Sequence, residues 1–190
     1  MCNAWKNDIA VSTKYCPVDL IFVMDESGTV KPEHFDDMKE FVMKVATGLK
    51  AQIDNGNTRV GAVTYSNHVD ETINLNNQSS FTALEKHIQE LTYSGGGTLT
   101  DKALNHVRTQ MLTPAAGDRS DVRNVVVVMT DGASTLPEDT LVCTLWTLVK
   151  KLSQFRNYLQ RIFIVMGVLY KNLHISDLQP TDSCSYFFAL

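Results

Sequence analysis

Two stretches constrain this chain more than anything else in it: VDLIFVMD, from Val18 to Asp25, and VRNVVVVMT, from Val122 to Thr130. Each is an almost unbroken apolar run of strand length, and the second is crowded with β-branched valines. A strand with one wet face alternates apolar and polar residues. A run without alternation is covered on both faces, as in a parallel sheet packed between helices. Each run also meets an aspartate at its carboxyl end: Asp25 closes the first and Asp131 directly follows the second.

The segments between and around these runs supply the helices and the other strands. Pro32 stands at a first helical position after the polar turn Glu26–Lys31. Phe35, Met38, Val42, Val45 and Leu49 then repeat at helical spacing. Asp54 to Asn57, with its Asn-Gly pair, breaks the chain. TRVGAVTYS, from Thr58, reads as a second strand, and the alternating VDETINL, from Val69, as an antiparallel edge strand reached through a short turn. Ser80 is placed to cap a short helix carrying Phe81, Leu84, Ile88 and Leu91. After the loop Gly95-Gly96-Gly97-Thr98, Leu104, Val107 and Met111 mark another helix. Leu141, Leu145, Leu148, Leu152, Phe155 and Leu159 mark the longest one. RIFIVMGVL, from Arg161, is a further buried strand. A short helix around Ile175–Leu178 and a last strand over Ser185–Leu190 complete the expectation. Strands alternating with helices predict an α/β fold: a doubly wound, open, mostly parallel sheet with one antiparallel edge strand and helices on both faces. The 190 residues suit a single domain over residues 16–190 with an N-terminal extension at 1–15.

Bulk properties narrow the function classes. Hydrophobic residues make up 44% and charged residues 20% of the chain, the proportions of a globular domain. A net charge of −4 speaks against a nucleic-acid partner, which favours a basic face. No apolar run approaches the roughly 20 residues that span a bilayer, so no direct membrane insertion is expected. Met1 to Lys14 is mixed and polar, without the form of a signal peptide. A secreted origin therefore implies a leader already removed. Cys2, Cys16, Cys143 and Cys184 form no zinc-type cluster. They allow two disulfides in three pairings. Four free thiols are the other reading, and the positions of Cys2, Cys16 and Cys184 near the domain ends favour staples. Asn77-Gln78-Ser79 matches the N-glycosylation sequon, a short pattern of low specificity.

The chemistry gathers where the strands end. Open parallel sheets bind ligands beyond the carboxyl ends of their strands, where strand order reverses. Three loops expected there carry hard oxygen donors: Asp25, Ser27 and Thr29 after the first strand, Thr98 in the Gly-rich loop, and Asp131 after the central strand. Two carboxylates and three hydroxyls suit Mg²⁺, with Mn²⁺ and Ca²⁺ as the other candidates. Taken singly, Ser27 and Thr29 read more simply as helix caps and Asp131 as a turn opener. Five such residues in one predicted layer reverse that preference. Gly28 and Gly95 to Gly97 let backbone approach the ion.

Three segments then resemble one family. DLIFVMDESGTV is similar to the first strand and DxSxS motif of von Willebrand factor A and integrin I domains, GGGTLTDKAL to their threonine loop, and VVVVMTDGAST to the strand ending in their metal-site aspartate. The resemblance covers roughly residues 17–190 in order. It implies a metal-ion-dependent adhesion site in which Ser27, Thr29 and Thr98 contact the cation and Asp25 and Asp131 act directly or through water. It also implies capture of a Glu or Asp side chain of an extracellular matrix or cell-surface protein such as collagen, no catalysis, and secretion. Glu26, Lys31, Asn67, His68, Tyr93, Leu99, Thr135 and Glu138 are the expected rim. Thr29 replaces the family's more usual serine, adding a stiffening methyl group. The family closes with a helix after its last strand, and the chain ends at Leu190, so that helix is expected to be missing. Two other classes stand beside this reading. A haloacid-dehalogenase-like Mg²⁺-dependent phosphatase shares DxDGT-like spacing but needs a carboxylate where Ser27 stands. An intracellular scaffold of the same family is the other. The Gly-rich loop lacks the lysine of a P-loop, and no GxSxG elbow is present.

Overall fold

The first apolar run forms β1 (Val18–Asp25), and its seven residues after Val18 are all buried. The computed structural model describes residues 17–77, 80–131 and 135, together with the backbone of three later strands at 163–168, 179–181 and 185–187. From the amino end follow α1 (Lys31–Gly48), α2 (Lys50–Asp54), β2 (Thr58–Tyr65), β3 (Val69–Ile73), α3 (Phe81–Glu90), α4 (Thr100–His106), β4 (Arg123–Thr130), β5 (Phe163–Val168), β6 (Gln179–Thr181) and β7 (Ser185–Phe187). Five strands make one sheet in the order β3-β2-β1-β4-β5. β1 pairs in parallel with β2 and β4, β4 pairs in parallel with β5, and β3 is antiparallel to β2. The expected architecture, with its antiparallel edge strand, is therefore the observed one.

Why the two runs lack alternation is visible in the packing. Leu20, Phe22 and Met24 of β1 and Val125, Val127 and Met129 of β4 face a core built with Phe35, Met38 and Val42 of α1 and Leu84 and Ile88 of α3. Ile21, Val23, Val126 and Val128 face the other way, onto Ala103, Leu104, Val107 and Met111. Each strand thus buries both faces, and a polar residue at either set of positions would lose solvation without a partner. Chain order turns back at β1: the chain moves first to β2 on one side and later to β4 on the other. This reversal point is where a crevice opens at the strand ends.

Several local expectations are refined. Ser80 caps α3, its side chain accepting from the Ala83 N–H at 3.3 Å. The α1 stripe ends one residue before Leu49, and a separate short helix follows. The helix through Leu104 changes to a π-helical turn over Val107–Met111, which keeps Val107 and Met111 buried. The last expected strand is shorter than read and pairs with β6 in a separate two-stranded sheet. Sequence pattern gave no sign of that pairing, because a strand of three residues is too short to show a period. The expected helix through Leu141–Leu159, the short helix at Ile175–Leu178 and all four cysteines lie outside the described residues.

The end of the sheet away from the crevice is closed by one ion pair. Arg119 Nη2 lies 2.6 Å from Asp19 Oδ1, and the Asp19 side chain is fully buried. The same guanidinium donates to the carbonyls of Gly56, Val18 and Asn57, and the Arg119 N–H donates to Asp19 Oδ2. One side chain thereby joins the start of β1, the turn before β2 and the segment before β4. Arg119→Ala leaves a buried carboxylate without its counter-charge and is expected to cost about 3–5 kcal/mol. Urea denaturation reads this as a lowered midpoint with unchanged slope. A loss under about 1 kcal/mol, the value of an exposed pair, would contradict it.

Candidate metal centre

Parallel register brings the acidic ends together. Met24 lies beside Met129, so Asp25 and Thr130 are the next residues on adjacent strands. The Thr130 hydroxyl donates to Asp25 Oδ2 at 2.6 Å, and the Ser27 N–H donates to Asp25 Oδ1 at 2.8 Å. Asp25 is fully buried. Burial is the main influence raising its carboxyl above the usual range; the Thr130 and Ser27 donors pull it back, and the charge of Asp131 adds to the rise.

The hydroxyls continue the line. Ser27 Oγ lies 3.0 Å from Thr29 Oγ1, and Thr29 Oγ1 donates to Asp131 Oδ1 at 3.1 Å. Neither hydroxyl caps the following helix: the residue before α1 is Val30, and no side chain caps that end. The simpler explanation of Ser27 and Thr29 is thereby removed. Exposure is graded across the group. Asp25 and Ser27 are buried, Asp131 is half-buried and Thr29 is exposed. The oxygen cluster has an inner wall and an open side.

Three loops are tied to one another around it. The Gly28 N–H donates to the Gly96 carbonyl at 2.9 Å, and the Tyr93 hydroxyl donates to the Ser27 carbonyl at 3.1 Å. Thr98 is buried and exchanges two bonds with Thr135, its carbonyl accepting at 2.8 Å and its N–H donating to Thr135 Oγ1 at 3.1 Å. The turn between β2 and β3 adds a fourth support. Asn67 Oδ1 accepts from the Gly97 N–H at 3.0 Å, and the Ser66 carbonyl accepts from the Leu99 N–H at 2.9 Å. Asp25, Ser27, Thr29 and Asp131 therefore form one connected group, while Thr98 stands on the neighbouring loop that these bonds hold in place.

The donor set fits a hard cation. It is all oxygen, with two carboxylates whose mutual repulsion a divalent ion relieves. Among the described residues no group of three or more His, Cys, Asp or Glu side chains is arranged to hold a metal, so hydroxyls supply the balance. Of the five residues expected around an ion, Asp25, Ser27, Thr29 and Asp131 offer this oxygen set as one linked group, with Thr98 on the adjoining loop.

The expected rim is partly corrected. Lys31, Asn67, His68 and Thr135 are exposed, and Tyr93 and Leu99 are half-buried; Glu138 lies outside the described residues. Glu26 is not on the rim. It is fully buried, and its Oε2 accepts from the Ser94 N–H at 3.1 Å. Burial, and then the adjoining Asp70 carboxylate, push Glu26 up to about 8. Sequence reading also missed Thr130 and Ser66, whose roles depend on register and turn geometry.

Gly96 bears on one prediction. Its φ is +122°, a region that L side chains rarely occupy, and an added Cβ would stand 2.9 Å from Asn67 Nδ2. Gly96→Ala is expected to cost about 1–3 kcal/mol and to release the Gly28 amide. Hydrogen exchange at Gly28 then quickens relative to wild type; protection equal to wild type would contradict the tie.

Comparisons with known proteins follow the same line. The profile of the von Willebrand factor type A domain matches residues 19–172. The collagen alpha-5(VI) chain of Mus musculus is 34% identical over 119 residues, covering 62% of this chain and 4% of that protein. The collagen alpha-1(XX) chain of Homo sapiens is 35% identical over 118 residues, covering 62% and 9%. The von Willebrand factor A domain-containing protein 2 of Xenopus laevis is 37% identical over 116 residues, covering 61% and 14%. The chain thus spans only a small part of these relatives' length. Among solved structures, proximal thread matrix protein 1 from the mussel byssus superposes with a TM-score of 0.65 at 24% identity, covering 80% of this chain and 37% of that one. A second structure of the mussel protein, with a TM-score of 0.64, has a zinc-occupied MIDAS motif.

Proposed function

The chain belongs to the von Willebrand factor type A domain family, and from that premise we propose that it is a divalent-cation-dependent protein-binding domain without catalytic activity. Asp25, Ser27, Thr29, Thr98 and Asp131 hold the ion, Mg²⁺ in the first place and Mn²⁺ or Ca²⁺ as alternatives. The observation that carries this reading is the linked oxygen line from Ser27 through Thr29 to Asp131. Those hydroxyls are not spent on a helix cap.

When bound, the cation supplies a strong, localised positive charge at a partly buried rim, where an anion is held more firmly than in open water. The chain's own residues do the rest. Asp25 is oriented by Thr130 and by the Ser27 N–H, so its carboxylate need not reorganise to meet an ion. Thr29 and Asp131 stand on the open side, where a partner's Glu or Asp side chain approaches. The exposed side chains of Asn67, His68 and Lys31 are the ones we expect to select among partners.

The ligand class follows from family company. The relatives named above are collagens and a further A-domain protein, which supports a matrix or cell-surface partner, collagen among them, and an extracellular setting. The phosphatase alternative requires a second carboxylate two residues after Asp25; Ser27 is there, bonded to Thr29 instead. A hydroxyl does not serve as a general acid near neutral pH.

Binding to immobilised collagens and other matrix proteins, measured with Mg²⁺ and again with chelator, tests this reading. Capture is expected to vanish in chelator. Asp131→Ala and Ser27→Ala are each expected to weaken it by at least about 100-fold, beyond the roughly 10–100-fold typical of residues that only support a ligand, with the far-UV spectrum unchanged. Equal capture in chelator, or turnover of a phosphomonoester abolished by Asp25→Asn, would overturn it.

A further inference from the structure

The chain carries one N-glycosylation sequon, Asn77-Gln78-Ser79. So short a pattern gains meaning only where the fold can carry a bulky, solvated sugar chain, which needs an exposed asparagine with a free carboxamide. Most asparagines of this chain fail that requirement. Asn55, Asn67 and Asn105 are exposed, but each side-chain carbonyl accepts a hydrogen bond, from the Asn57 N–H, the Gly97 N–H and the Arg108 guanidinium respectively. Asn124 is buried and donates to Asp118. Asn57 and Asn74 are half-buried. Asn76 is exposed, yet its Nδ2 donates to the Ala115 carbonyl at 2.9 Å. Asn77 is exposed, and its carboxamide has no hydrogen-bond partner among the described residues. Of the described asparagines it alone meets both conditions, and the sequon falls on it. Gln78 and Ser79 lie outside the described residues and enter through sequence only.

The backbone at Asn77 is anchored at the end of the sheet away from the ion site. β3 runs antiparallel to β2, with Val69 beside Tyr65 and Ile73 beside Ala62, so the chain leaving β3 heads for the amino end of β2. There the Asn77 N–H donates to the Asn74 carbonyl at 3.1 Å, and the Asn76 N–H to the Ala116 carbonyl at 3.2 Å. Arg59, the second residue of β2, secures the same segment by donating to the Gly117 carbonyl at 2.7 Å. Asp25 of the oxygen cluster stands beside Tyr65, at the opposite end of that strand. At about 3.3 Å per residue the length of β2 separates the two ends by roughly 20 Å. A sugar chain rooted at Asn77 therefore leaves the open side of the oxygen cluster uncovered.

We propose that Asn77 is an acceptor of N-linked oligosaccharide, delivered by a lipid-pyrophosphate-linked sugar donor of the secretory lumen. The Asn77 amide nitrogen forms a bond to the anomeric carbon of the first sugar. The bond from that carbon to the pyrophosphate oxygen breaks, the lipid pyrophosphate leaves with the electron pair, and one amide proton passes to a base of the transferase. The inference rests on the extracellular setting proposed above and not on the ion site.

The test is expression of the full chain behind a cleavable leader in a eukaryotic secretory host, since the leader brings it to the lumen whatever its native location. Medium and membrane fraction are both analysed. Wild type is expected to run as a larger species that collapses to the bare chain with peptide-N-glycosidase. That enzyme converts a sugar-bearing Asn77 to aspartate, which peptide mass spectrometry reads. Asn77→Gln and Ser79→Ala are each expected to abolish the larger species, and Ser79→Thr to retain it. Transfer takes place as the chain enters the lumen, so the membrane fraction gives the same reading for a variant that fails to fold. Unmodified Asn77 throughout the luminal wild-type chain, or a larger species that persists in Asn77→Gln, would overturn the proposal. A modified chain that captures no matrix protein in Mg²⁺ would sustain it and count against the adhesion reading instead.

Discussion

The register between β1 and β4 is the constraint on which the rest of the molecule depends. Val18 lies beside Arg123, and the pairing runs without a break to Met24 beside Met129. Alternation assigns every second residue of both strands to one helical layer and the remainder to the other. A slip of one residue would exchange the two sets on β4 and spoil both cores. The same register also fixes which residues emerge together at the carboxyl end. Thr130 reaches Asp25, and Asp131 reaches Thr29, because no other alignment satisfies the packing below them. Site geometry is thus a by-product of core packing, set before any ion is considered.

This explains what could be read from sequence. A run such as NVVVVMT announces burial on both faces by composition alone, and an aspartate following such a run announces a strand-end acid. From those two facts the buried parallel strands and the acids Asp25 and Asp131 followed, while the alternation of VDETINL marked the antiparallel edge and the loop after the first run offered Ser27 and Thr29. Thr98 was read as a fifth ligand, but its place rests on two bonds with Thr135, one to the backbone and one to the side-chain hydroxyl, which a pattern of residue types does not encode. Glu26 was misjudged for a related reason. A glutamate in a polar loop is ordinarily solvated, and only the turn of the chain after Asp25 reveals that it points inward. The π-helical turn at Val107–Met111 escaped notice because a spacing of four suits an α-helix equally well.

The two ends of the sheet handle charge in opposite ways. At the amino end, Arg119 lies directly on Asp19 and spends its remaining donors on backbone carbonyls, so that end is electrostatically complete within the chain. At the carboxyl end, Asp25 and Asp131 share one small region, and burial with the charge of Asp131 holds the Asp25 carboxyl above its usual range. Hydroxyls and amides soften the imbalance but carry no net charge. The fold tolerates this because the packed layers and the Arg119 knot provide cohesion elsewhere, an arrangement in which local strain at a binding end is offset by the remainder of the domain.

That uneven distribution has a thermodynamic corollary. Any ion that settles among the unbalanced carboxylates binds the native chain and not the unfolded one, so it adds RT ln(1 + [L]/Kd) to the stability. At a free concentration of about 100 times Kd this amounts to about 2.7 kcal/mol, a sizeable part of the roughly 5–15 kcal/mol that holds a domain together. Wherever such an ion binds, the same polypeptide is a sturdier object in a medium rich in that ion than in one that lacks it.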